Sequence, residues 1–193
     1  MKLAPTKRLV TKAWTAWLTL FFGAFLGMPG GHCGEQQPAT EDQAKALCLL
    51  NFAKYVEWPA QAFAGTNSPI VIGVMGGDKF GDDLKYRIEG RLVDGRKIVV
   101  TELAAEEDWS KCQILFIAAS ETGREAEVLK QLKSLPVLTV GETESFTREG
   151  GVINFTNRSG KVRFDIDLYA ARTAGLSISS KLLSQADSVL GKP

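Results

Sequence analysis

Ile70-Val71-Ile72-Gly73-Val74-Met75 runs straight into Gly76-Gly77-Asp78, and a helical stretch from Phe80 to Ile88 follows. Six apolar or small residues with no polar break read as a strand covered on both faces. The glycines turn the chain, so the unit is strand, turn, helix. The same grammar recurs downstream. Lys97-Ile98-Val99-Val100-Thr101 reads as a second strand, followed by an acidic connection around Glu106-Glu107-Asp108-Trp109. Gln113-Ile114-Leu115-Phe116-Ile117-Ala118 is a third, buried strand, and Pro136 to Gly141 a fourth. Between them Arg124 to Leu135 mixes charges with Ala126, Val128, Leu129 and Leu132, the pattern of an amphipathic helix.

Upstream, Thr40 and Gln43 have the spacing of a capping box. An apolar-rich stretch from Ala44 to Trp58 follows, stopped by Pro59. Ala44, Leu47, Cys48, Phe52, Tyr55 and Val56 keep helical spacing, which predicts a mostly buried helix. Near the end, residues 151–156 and 161–167 flank Asn157-Arg158-Ser159-Gly160, a hairpin turn. Val162, Phe164 and Ile166 alternate there with Arg163, Asp165 and Asp167, so one face is buried and the other wet. A closing helix is expected from Leu168, with Leu168, Ala171, Leu176, Ile178 and Leu182 as its apolar set. Strands alternating with helices predict an α/β single-domain sandwich over residues 40–190. Its parts are a mostly parallel central sheet, a C-terminal antiparallel hairpin and flanking helices.

The first 34 residues read differently. Lys2, Lys7, Arg8 and Lys12 precede an uncharged, mostly apolar run from Ala13 to Leu26, and no acid appears before Glu35. That is the layout of a secretory signal, shorter than the roughly 20 apolar residues a membrane span needs. Export is the expectation, with cleavage between about residues 25 and 40. Cys33 follows His32, where a lipid-attachment signal wants a small residue. Without the leader's four cations the chain holds 19 basic and 22 acidic residues, which does not describe a nucleic-acid binder.

The single histidine, His32, lies in the leader. A mature chain without histidine has no Ser-His-Asp or Cys-His mechanism and none of the usual zinc sites. No phosphate-loop or nucleophile-elbow motif is present. The nearest approach to an anion cradle is residues 76–81, where Asp78 would cap the helix and repel phosphate. Asp82/Asp83 and Glu106/Glu107 are adjacent and diverge. Asp165 and Asp167 share a strand face that suits a cation or a surface salt bridge. No metal, cofactor or catalytic set emerges. Export puts the cysteines in an oxidising compartment. With Cys33 in or beside the leader, Cys48 and Cys112 are the one remaining intrachain pair, and each also reads as a small buried apolar residue.

Lys45-Ala46-x-x-Leu49-x-x-Phe52-x-x-Tyr55-Val56-x-Trp58-Pro59 resembles the opening helix of the YfiR-like family of periplasmic proteins. The resemblance continues in order through residues 72–76, 112–117 and 137–142, then Phe146, Gly150-Gly151, residues 162–166 and 174–183. It implies a non-catalytic periplasmic regulator, without cofactor, that binds the periplasmic domain of an inner-membrane diguanylate cyclase and holds it inactive. Cyclic-di-GMP signalling and biofilm formation would be under its control. Contact with the membrane would come only through the partner, and a homodimer is left open. The alternative from a different class is a periplasmic small-molecule binder related to one lobe of a solute-binding protein. Family members often carry a cysteine in the first central strand that bridges to the one before the Ile-Leu-Phe strand. Here Cys112 fills the second slot and Gly73 the first, so the resemblance's bridge cannot form.

Most matching positions also have structural readings. Phe52, Tyr55 and Trp58 form an aromatic stripe that packs on the sheet or, for Tyr55 and Trp58, meets a partner. Pro59 ends the helix. Gly150 and Gly151 are expected to supply backbone angles that other residues dislike. Phe164 belongs to the buried strand face. Glu142 lies just past a strand's carboxyl end, where α/β folds place ligands. It reads either as a binding group or as a hydrogen-bond acceptor for the Gly150-Gly151 loop.

Overall fold

The computed structural model describes residues 40–104 and 108–191. The leader with His32 and Cys33, and the Glu106/Glu107 pair, lie outside the described residues. Helix α1 (Glu41–Tyr55) opens with the expected capping box: Gln43 N–H donates to Thr40 Oγ1, and Thr40 N–H donates to Gln43 Oε1. It ends earlier than its apolar pattern suggests. Val56 and Glu57 form β1 (Val56–Glu57), an antiparallel pair with β9 (Ser177–Ile178). Extended pairing takes over before Pro59, where the chain already resists helix.

The remaining elements are β2 (Ile70–Met75), α2 (Asp78–Ile88), β3 (Leu92–Val93), β4 (Arg96–Glu102), β5 (Ile114–Ile117) and α3 (Thr122–Leu132). Then come β6 (Leu138–Gly141), β7 (Ile153–Arg158), β8 (Lys161–Asp167), α4 (Leu168–Thr173), α5 (Ser180–Leu183) and β10 (Ser188–Leu190). Eight strands make one sheet in the order β10-β8-β7-β6-β5-β2-β4-β3. Strands β4, β2, β5, β6 and β7 are parallel, β8 returns antiparallel to β7, and β10 lies parallel to β8. This is the expected α/β sandwich with its hairpin near one edge.

The continuous apolar strands follow from burial on both faces. Ile70, Ile72 and Val74 enter the larger core with Leu49 and Phe52 of α1, Leu84 and Ile88 of α2, and Phe155 and Phe164 of the hairpin. Met75 points the other way, into a smaller core with Leu115, Ile117, Val128, Leu129, Leu132 and Phe146. In the larger core Phe52 stacks on Phe155 at 5.7 Å and meets Phe164 edge-on at 5.0 Å.

Three expectations need correction here. On α1 the buried residues are Ala46, Leu49, Phe52 and Ala53, while Leu47 is 53% exposed. Residues 46–50 are all apolar, so that run alone does not choose a face; the buried set Ala46, Leu49, Phe52 and Ala53 turns Leu47 outward, and Lys45 pairs inward with Glu142. The closing helix is not continuous. Gly175 sits at φ +72°, where its N–H bonds the Arg172 carbonyl and Leu176 N–H bonds that of Ala171. This left-handed stop divides the segment into α4, β9, α5 and β10. Finally, Gly77, not Asp78, occupies the N-cap of α2, in left-handed geometry.

Candidate functional site

Glu142 follows the last residue of β6, and its carboxylate is held from two sides. Lys45 Nζ donates to Oε2 at 2.6 Å, and the Ala119 N–H donates to Oε1 at 2.9 Å. Lys45 also reaches Glu41 at 2.7 Å, and Asn157 Nδ2 donates to Glu41 at 3.2 Å. A chain of polar contacts thus joins the end of β7, α1, the end of β6 and the segment after β5. The Lys45 and Glu142 side chains are only 13% and 20% exposed. Burial alone would lower the Lys45 pKa, but hydrogen bonds and charge from Glu142 and Glu41 outweigh it and raise the value. The hydrogen bond from Lys45 draws the Glu41 carboxyl below its usual range. Glu142 is therefore an internal tie between α1 and the sheet, and its partners are not those expected in the Gly150-Gly151 loop.

That loop has a different anchor. Phe146 is fully buried between the backbones of Gly141 and Gly151. A Cβ at Gly141 would stand 2.1 Å from Phe146 Cδ2, and one at Gly151 2.1 Å from Phe146 Cε1. Gly150 does need glycine for its backbone, at φ +100°. Gly151 does not; it is glycine because an aromatic ring occupies its side-chain space. Below the loop Glu125, fully buried on α3, accepts a 2.6 Å hydrogen bond from Thr143 Oγ1. Its Oε2 is buried without a hydrogen-bond partner among the described residues. Burial raises the Glu125 pKa; the Thr143 hydrogen bond opposes that and nearby Glu149 adds to it.

Tyr55 and Trp58 lie elsewhere. From Lys45 to Tyr55 the helix advances about 15 Å. Trp58 Nε1 donates at 3.0 Å to the Gln113 carbonyl, just before β5. The buried Gln113 side chain donates to the Ala62 carbonyl at 2.6 Å and accepts from Val71 N–H at 2.8 Å. Trp58 and Gln113 thus fasten residues 56–62 to the amino ends of β2 and β5, while Glu142 works at the carboxyl end of β6. The half-buried Tyr55 ring has the Lys54 and Lys181 ammonium groups 5.4 Å and 4.9 Å from its centroid. Pro59 precedes a short 3-10 turn, Ala60–Ala62. The structure does not bring Glu142, Tyr55 and Trp58 into one site.

The other candidates resolve locally. A Cβ at Gly76 would lie 2.5 Å from Ser120 Oγ and 3.2 Å from Glu121 Oε1, so the supposed anion cradle is filled and faces a carboxylate. Asp167 caps α4, accepting from the Tyr169 and Ala170 N–H groups at 2.8 and 3.0 Å. Among the described residues no group of three or more His, Cys, Asp or Glu side chains could hold a metal ion. No disulfide joins Cys48 to Cys112. Cys48 packs on the larger core. Cys112 Sγ instead lies 2.8 Å from where a Cβ on Gly73 would stand, beside Leu115 of the smaller core. The sheet separates the two thiols. Burial pushes the Cys48 thiol up to about 11.

Sequence reasoning missed Gln113, Lys45 and Glu125 as functional parts of this framework. Glu125 had a signal: with Val128, Leu129 and Leu132 it completes an i, i+3, i+4, i+7 stripe, a lone acid on an apolar face.

The family model described as YfiR/HmsC-like matches residues 42–187, from α1 to the residue before β10. The chain belongs to the YfiR/HmsC-like family. A search of curated proteins finds no match. Among solved structures, a conserved domain protein from Vibrio cholerae O1 biovar eltor strain N16961 aligns at 15% identity with a TM-score of 0.48. The alignment covers 62% of this chain and 54% of that one, so the chain spans about half the length of that relative. Among the described residues no helix is long and apolar enough to cross a membrane.

Proposed function

We propose that this YfiR/HmsC-like protein is a non-catalytic periplasmic regulator that binds a membrane-bound diguanylate cyclase and represses it. Residues 1–34 act as an export leader, and residues 40–190 form the binding domain. The observation that carries the reading is the family match across nearly the whole described domain. The site geometry is consistent with it. The buried polar groups tie elements of the domain together, as a binding scaffold requires. Repression would work by linkage: a protein that binds only the inactive form of a sensor shifts its population by no more than its differential affinity allows. A coupling of about 3 kcal/mol would hold output down roughly 150-fold.

Deleting the gene should raise cellular cyclic-di-GMP and surface attachment, and deleting the partner cyclase as well should abolish the rise. An unchanged cyclic-di-GMP level in the single deletion refutes the reading. Mass spectrometry of the envelope protein tests the leader: a mature start between about residues 25 and 40 supports export. An intact Met1 start in the cytosol contradicts it.

A further inference from the structure

Between the carboxyl-terminal part of α3, the β6–β7 connection and α4 lies a groove of about 370 Å³. This is the small end of the range for ligand pockets, roughly 300–1,000 Å³. Lys130 and Lys133 line it from α3 and its cap, and Arg148 lines it from the connection. Residues three apart on a helix share a face, so the two ammonium groups rise on the same side. No carboxylate lies within ion-pair distance of these three cations among the described residues. Two acids share the wall with these three cations, Glu149 and Asp167, whose Oδ1 caps α4, so the lining carries a net charge of +1. The groove also has an apolar side: Leu129, Ala170 and Tyr169, a residue 67% exposed.

Cations from two separate elements and an uncovered tyrosine beside them define a ligand with two ends. We propose that this groove binds a small ring-bearing carboxylic acid, its carboxylate among Lys130, Lys133 and Arg148 and its ring against Tyr169. A planar guanidinium offers a carboxylate paired donors, and charge-assisted bonds of this kind are about twice as strong as neutral ones. Tyr169 offers a flat apolar surface with a polar tip, which accepts either an aromatic or a sugar ring. The site stands independently of the repressor reading, because it is tested on the purified chain without a cyclase.

The experiment is a titration of the full chain followed by amide NMR, with 4-hydroxybenzoate and glucuronate as acids. Their uncharged counterparts, 4-hydroxybenzamide and glucose, serve as controls. At least one acid should shift the Gly150, Tyr169 and Ala170 amides, and bind at least tenfold tighter than its control. Arg148→Gln, and separately the Lys130→Gln/Lys133→Gln pair, should each weaken that binding tenfold or more. All three side chains are exposed, so these variants keep the fold, and the unperturbed amides of β5 and β6 verify it in the same spectra. Which acid binds tells an aromatic from a carbohydrate ligand. The proposal is overturned if neither acid shifts these amides at millimolar concentration, if the controls bind equally well, or if the variants bind as the parent does.

Discussion

Substituting Gly141 by alanine should cost more than any other single methyl group added to the sheet, because the added carbon has nowhere to go. It would stand 2.1, 2.3 and 2.6 Å from Phe146 Cδ2, Cε2 and Cγ, against the roughly 3.5–4.0 Å at which carbon atoms pack. The ring would have to retreat by more than an ångström. Its other face is closed by Gly151, whose own Cβ position is 2.1 Å from Phe146 Cε1, and the ring is fully buried. Overpacking commonly costs about 1–3 kcal/mol, and a ring clamped on both faces belongs at the upper end. For a domain of this size that lowers Tm by roughly 6–12 °C.

Phe146→Ala removes the obstacle at a cost of about 3–5 kcal/mol of its own. The Gly141→Ala/Phe146→Ala double variant should therefore be no less stable than Phe146→Ala alone, to within about 0.5 kcal/mol. Urea unfolding of all four proteins by circular dichroism, with a common m-value, measures the cycle. Additive losses would refute the clamp, as would a Gly141→Ala protein within about 0.5 kcal/mol of the parent.

Glu142→Gln leaves Lys45 half-paired in a mostly buried setting and should destabilise by about 2 kcal/mol, less than a fully buried break because Glu41 still answers it; equal urea midpoints would contradict this. The lowered Glu41 pKa supplies stability that is present above its ordinary value of 4.5 and is lost as pH falls through the folded value. The raised Lys45 pKa supplies stability present below 10.5 and lost as pH climbs through the folded value, so Lys45→Met should flatten the alkaline limb of the stability profile. Glu125 has the opposite sign to Glu41: its pKa is raised, so its buried form is most favourable below 4.5 and loses stability as pH rises. Glu125→Gln should accordingly be more favourable relative to the parent at pH 7 than at pH 4, and a loss that grows toward pH 7 would show that the carboxylate itself is needed. With its thiol pushed up to about 11, native Cys48 should react with iodoacetamide far more slowly at pH 8 than it does in urea, and equal rates would place it at the surface.

The sheet was legible because its signal is local. A strand buried on both faces is apolar nearly throughout, and residues 70–75, 113–118 and 136–141 read that way locally, with Gln113 and Thr139 as buried, hydrogen-bonded exceptions. What could not be read depended on contacts between segments far apart in the chain. Leu47 and Leu49 are interchangeable on any hydrophobicity scale; what separates them is the face α1 turns inward, with Phe52 packed on Phe155 and Phe164 and Lys45 meeting Glu142, 97 residues away. Gly151 looks like a turn residue beside Gly150, yet its requirement is steric and is imposed by Phe146. Glu142 shows the same limit from the functional side. Its position past a strand end resembles a ligand-binding place, but a carboxylate there that already accepts from Lys45 and from the Ala119 amide has little left to offer a ligand. If the chain binds a cyclase as proposed, Glu142 would act on that binding through the placement of α1, whose far end carries Tyr55 with the Lys54 and Lys181 ammonium groups beside its ring. On the proposed regulator reading, stability and partner binding should fall together in Glu142 variants, and weakened binding with an unmoved urea midpoint would instead place Glu142 at the partner surface.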